Sequence, residues 1–170
     1  MKLGFTLRAA LAGLVALALV GCDSSGEAPP PAVAADAGDT AALEAAIEER
    51  QALFEAVGDA FKVIRGELEG EAPSVAVIGE QAAVINERAQ AISGLWPEGS
   101  SVDSGLETEA LASIWEQPEE FAAATEKLVS ASASMVAIAA SGDLGEVAGA
   151  VRPLGMACKG CHDNFRLDTD

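Results

Sequence analysis

The chain has 170 residues, half of them hydrophobic, and carries 27 Asp and Glu against 10 Lys and Arg, a formal net charge of −17. So acidic a balance argues against nucleic-acid binding, which draws on basic surfaces, and suits basic partners instead. The length beyond the N-terminal region is one domain's worth and can bury a sizeable core.

Lys2 and Arg8 form a positive n-region, and Ala9 to Val20 is an apolar run. That run is shorter than the roughly 18 residues of a spanning helix, so it is expected to be a secretory signal. It ends in Leu19-Val20-Gly21-Cys22, which resembles the bacterial lipobox. In that class the Cys is diacylated and becomes the new N-terminus; the alternative is an ordinary cleaved signal followed by a free Cys. Two acyl chains make anchoring stable where one is marginal. Residues 1–21 are thus expected to be a lipoprotein signal and Cys22 the lipidated residue, with Asp23 beside it inclining the expectation to the inner membrane. Residues 22–38 are rich in Ser, Gly, Ala and Pro, with Pro29-Pro30-Pro31 inside them and no period of 2 or 3.6. They read as a tether.

Residues 39–170 predict four helices and no strands. Leu43, Ile47, Phe54, Val57, Phe61, Ile64 and Leu68 recur at steps of three and four, and only Arg50 interrupts that seam. Gly70 and Pro73 break the segment, and Ser74 is a candidate N-cap for a second helix striped by Ile78, Ala82, Ile85, Ala89 and Ile92. A loop beginning at Trp96-Pro97-Glu98-Gly99-Ser100 runs to about Glu116. Pro118 suits the first turn of a third helix, whose seam is Phe121, Leu128, Met135 and Ile138. After Ser141-Gly142-Asp143, a fourth stripe follows through Leu144, Val147, Val151, Leu154, Cys158, Cys161 and Phe165. Pro153 is expected to cost that helix a hydrogen bond and to kink it. Short connections within each pair and one longer loop between them predict an all-α, antiparallel up-down-up-down four-helix bundle.

Cys158-Lys159-Gly160-Cys161-His162 is C-x-x-C-H, the attachment signature of c-type haem. Two thiols add across the two porphyrin vinyl groups, and the neighbouring imidazole reaches the iron. Helical spacing of i, i+3 and i+4 puts all three on one surface, and covalent attachment outside the cytoplasm agrees with an export signal. A closed zinc site needs four ligands, whereas one His and, after lipidation of Cys22, two Cys remain. A redox dithiol expects a βαβ context, and no strand is predicted. One covalent haem c is therefore expected, with His162 on the iron.

Only Asp163 to Asp170 follow the motif and none is Met. Met156 is tied beside Cys158, and Met135 suits core packing. The ligand census predicts five-coordinate iron with no second protein ligand.

The stretches Arg50-Gln51-Ala52-Leu53-Phe54, Trp96-Pro97-Glu98-Gly99-Ser100, Ile114-Trp115-Glu116 through Phe121, and Cys158 through Arg166 resemble cytochrome c′, the class II cytochromes c. The likeness runs from about Ile47 to Arg166, with Trp96 standing where Phe is more common. It implies a bundle with haem between its helices, usually a homodimer. Arg50, at a core-facing step, needs an anionic partner if buried, and the resemblance implies a haem propionate; the alternative is that it snorkels to solvent. The resemblance likewise implies Phe54 over the open haem face, against plain core packing. Arg166, one turn after His162, is implied beside the proximal pocket, against a simple helix-terminal cation. Trp115 is expected to wedge loop against bundle.

The expected function is haem binding on the periplasmic side of a bacterial membrane, as a one-electron carrier with a basic redox partner, or as a binder of NO and CO. No general acid, base or nucleophile stands out, so an enzyme is not expected, and neither is a nucleic-acid partner.

Overall fold

The first predicted seam becomes a single helix of 33 residues, α1 (Ala37–Glu69), in the computed structural model, which describes residues 37–169. The expected signal, Cys22 and nearly all of the tether lie outside the described residues, as does Asp170. Helix α1 ends where the sequence loses helical support, and the Gly70 N–H donates to the Glu67 carbonyl at 3.1 Å. Helix α2 (Val75–Ala91) starts from Ser74, whose hydroxyl accepts the Val77 N–H at 3.3 Å. The predicted cap is therefore in place. Its own N–H is taken by the Glu67 carboxylate at 2.9 Å, which ties the start of α2 to the end of α1.

The loop after α2 is more ordered in its turns than its composition suggests. It contains 3-10 turns at Ile92–Gly94 and Val102–Ser104 and a one-turn helix, α3 (Ser113–Glu116), too short to show a period in the sequence. Helix α4 (Pro118–Ala139) opens on Pro118 as expected, because the first turn has no intrahelical use for the missing N–H. Helix α5 (Leu144–Phe165) is capped by Asp143, whose carboxylate accepts the Glu146 N–H at 3.0 Å.

The order of packing is α1 on α2, α2 on α4, and α4 on α5, as in the expected four-helix bundle with α3 as an appendage of the loop. The core stripe of α2 is buried as predicted, at Ile78, Ala82, Ile85 and Ala89. Helices α2 and α4 approach closely where a Cβ on Gly79 would stand 3.1 Å from the Ala139 Cβ. Two turns further along the same pair, Asn86 donates to the Val129 carbonyl at 2.9 Å and to the Ser132 hydroxyl at 3.1 Å. Ile64, Ile78, Ile85, Met135, Leu154 and Val147 are each less than 2% exposed. Each contributes about 1.5–3 kcal/mol by leaving water.

Three details depart from the seams. Leu53 and Ala60 are buried although the predicted seam passed them by, because α1 serves two surfaces. One lies against the core through Leu53, Ala60 and Ile64, while Phe54 and Phe61 border a cavity. Ile138 is only half-buried and Leu144 is 38% exposed, so each lies at the rim of its stripe. Pro153 sits inside α5 on its exposed side. The carbonyl one turn earlier, on exposed Gly149, is open to water, which lowers the cost of the missing N–H.

Candidate haem site

Helices α1 and α5 scarcely touch along their backbones. Where they do approach, a Cβ on Gly155 would meet the Phe61 ring at 3.3 Å. The space between them is a partly open cavity of about 590 Å³, bordered elsewhere by α4 and by the loop between α2 and α3. All six residues expected at a haem, Arg50, Phe54, Cys158, Cys161, His162 and Arg166, border this one cavity.

Cys158, Cys161 and His162 lie in the last two turns of α5, so their i, i+3, i+4 spacing is helical in fact. Both thiols are free and half-buried. Burial pushes their pKa values up, that of Cys161 to about 11 with a smaller contribution from Cys158. A reactive redox dithiol is favoured by a lowered thiol pKa, and burial shifts these two the other way. His162 has its pKa lowered, first by desolvation and then by the charge of Arg166. The neutral imidazole so favoured has a nitrogen lone pair for a metal.

Arg50 is 3% exposed, which removes the alternative that it snorkels to solvent. Its Nη1 donates to the Ser100 hydroxyl at 2.7 Å, and its Nη2 donates to the Ser100 carbonyl and the Thr108 hydroxyl, both at 2.5 Å. The guanidinium also lies 4.9 Å from the centre of the Trp96 ring. Every one of these partners is neutral, so no carboxylate among the described residues hydrogen-bonds to this cation, and its burial lowers its pKa. A buried charge held only by neutral oxygens at a cavity wall suits an anionic group. Gly99 makes this possible: its φ of 80° turns the chain so that Ser100, itself fully buried, faces Arg50.

Arg166 closes the last turn of α5, its N–H donating to the His162 carbonyl at 3.1 Å, while its own backbone is already extended, with φ −119° and ψ 136°. Its backbone pairs with Ala110, and its Nε donates to Glu109 Oε2 at 2.6 Å. It borders the cavity while anchoring the loop to the end of α5.

Phe54 is half-buried against the cavity rather than sealed in the core. Met135 is fully buried in the core and Met156 is 62% exposed, and neither borders the cavity. Trp115 also stays off it; its indole N–H donates to the Trp96 carbonyl at 3.2 Å, a wedge between loop and bundle as expected. Ser100, Thr108 and Glu109 were missed as site residues because they sit in a loop without period. The one available signal was Arg50 itself, a cation on an apolar seam that requires partners.

The donor set fits haem. The cavity falls within the roughly 300–1,000 Å³ usual for a cofactor, two thiols and an imidazole share one helix face beside it, and a buried guanidinium gives it a cationic edge for an anionic group.

Comparison with known proteins agrees. The family model described as Cytochrome C' matches residues 32–166. The chain is 38% identical to cytochrome c-554 of Cereibacter sphaeroides over 80% of this chain and 88% of that one. It is 32% identical to cytochrome c' of Pararhodospirillum photometricum, over 74% and 99% of the two chains. Its fold is similar to that of cytochrome c' from Thermochromatium tepidum, with a TM-score of 0.68, 27% identity and coverage of 74% and 97%. The chain belongs to the cytochrome c′ family, whose members carry one covalently bound haem c.

Proposed function

We propose that this chain is a lipid-anchored haem protein of the periplasm that binds small neutral ligands and passes single electrons, and that it is not an enzyme. One observation carries this reading: the residues suited to hold haem border a single cavity, and neither Met135 nor Met156 reaches it. Cys158 and Cys161 would form the two thioethers and His162 would be the only protein ligand to iron. Arg50 would face a propionate with its charge, while Ser100 and Thr108 hold the guanidinium in place. Arg166, held by Glu109, would stand beside His162 on the proximal side. Haem, when bound, would supply a one-electron redox centre and an iron position open to small ligands. Phe54 would cover that position with an apolar ring that offers no hydrogen bond, so O₂ gains little there while NO and CO lose less.

A neighbour that shares the fold, a point mutant of cytochrome c prime from Alcaligenes xylosoxidans, is known as a nitric oxide complex (23% identity, TM-score 0.66). Another, at 28% identity, is described by a ligand-controlled dimer dissociation, and we read this chain as a homodimer too. The acidic surface suits a basic redox partner. Titration of the ferrous protein with CO tests the ligand-binding half: one CO per chain is expected, and no binding would overturn it. The anchor is tested separately. Cys22→Ser should release the domain from membranes or leave the precursor uncleaved, and undiminished membrane association of a processed Cys22→Ser protein would count against lipid on Cys22.

A further inference from the structure

Trp96 packs against three residues that border the cavity, Phe54, Phe121 and Arg50. Its ring centre lies 6.3 Å from that of Phe54 and 4.9 Å from that of Phe121, and the Arg50 guanidinium sits over its face. It is also held rigidly. The indole N–H donates to the Ile92 carbonyl at 2.6 Å, and Trp115 packs edge-on at 6.1 Å. Arg50, which covers its face, is in turn fixed by Ser100 and Thr108.

Behind Trp96 lies a second, open cavity of about 810 Å³ between α2 and α4. Trp96 borders both spaces, together with Ile114, Phe121 and Thr125. The indole is thus part of the partition that separates the room around Phe54 from the room behind it.

We propose that Trp96 is the positioning residue that sets how readily Phe54 yields to an incoming sixth ligand. This rests on the reading that Phe54 covers the vacant axial position. A ligand that binds there must displace the Phe54 ring, and a locked indole on one side leaves that ring fewer places to go. Shrinking the indole removes part of the partition and opens the second cavity to the displaced ring. Arg50 and Trp96 then act together: the cation that suits an anionic cofactor edge also braces the wall beside Phe54.

The test is CO association with the ferrous holoprotein by stopped flow, beside unfolding midpoints in urea. Trp96→Phe keeps an apolar ring but loses indole volume, and it should speed association about tenfold. In a Phe54→Ala background, where no ring has to move, adding Trp96→Phe should change the rate by less than about twofold, the usual limit for independent sites. A merely structural Trp96 would lower the unfolding midpoint and leave the rate alone. Trp96→Tyr, closer in size, serves if Trp96→Phe does not load haem, and a smaller acceleration is expected of it. An unchanged rate in these variants, or the same acceleration with and without Phe54, would overturn the inference. If the wild-type protein bound no CO, the reading of the cavity would fail and this inference with it.

Discussion

Replacing both Cys158 and Cys161 by alanine should leave a chain that gives up its haem to acid-acetone, whereas the wild-type chain should keep it through denaturation and carry the mass of one haem. Either single variant should retain one thioether and so remain covalent. The substitutions themselves cost the fold little, because both side chains are only half-buried and small. The larger effect comes through the cavity. A chain from which haem can dissociate loses the stabilisation a bound ligand gives, about 2.7 kcal/mol for each hundredfold excess over its dissociation constant. The double variant should therefore unfold earlier as haem is diluted, while the wild type should show no such dependence. Wild-type haem extracted intact into acid-acetone would contradict the role given to the two thiols.

Phe54→Ala should speed CO association with the ferrous protein by about 10–100-fold. Moving an aromatic ring out of its packing costs about 1.5–3 kcal/mol, and each 1.4 kcal/mol in a barrier is about a factor of ten in rate. The same change removes packing, at about 3–5 kcal/mol for a fully buried Phe. Phe54 is half-buried beside a cavity, so the cost should fall below that range. The rate and the unfolding midpoint must be measured on the same sample. Unchanged kinetics in a folded Phe54→Ala protein would make Phe54 ordinary packing and remove the basis for selectivity toward gases.

The parts of this molecule that were legible in the sequence are those in which chemistry follows a period. The stripes of α2 and α4 were readable because their buried positions recur at three and four. Cys158, Cys161 and His162 were readable because helical spacing alone puts them on one face. Arg50 was readable for the opposite reason, as a charge where the period demanded an apolar residue. What stayed hidden depends on tertiary position. Helix α1 serves both the core and the cavity, so one seam could not separate Leu53 and Ala60 from Phe54 and Phe61. Ser100, Thr108 and Glu109 come from a loop with no period, and their roles appear only once the loop folds over Arg50 and Arg166. Arg166 was legible as a cation one turn after His162, but its pairing with Ala110 and its bond to Glu109 depend on where the loop folds.

Five-coordinate iron with His162 as its only protein ligand is the claim on which the ligand-binding account depends. It is tested most directly by the optical and EPR spectra of the ferric protein, together with those of Met135→Ala and Met156→Ala. The expected result is a high-spin spectrum in all three, because Met135 is sealed in the core and Met156 points away from the cavity wall into solvent. A low-spin ferric spectrum in the wild type that survived both substitutions would show a second strong ligand from elsewhere in the chain and contradict the account.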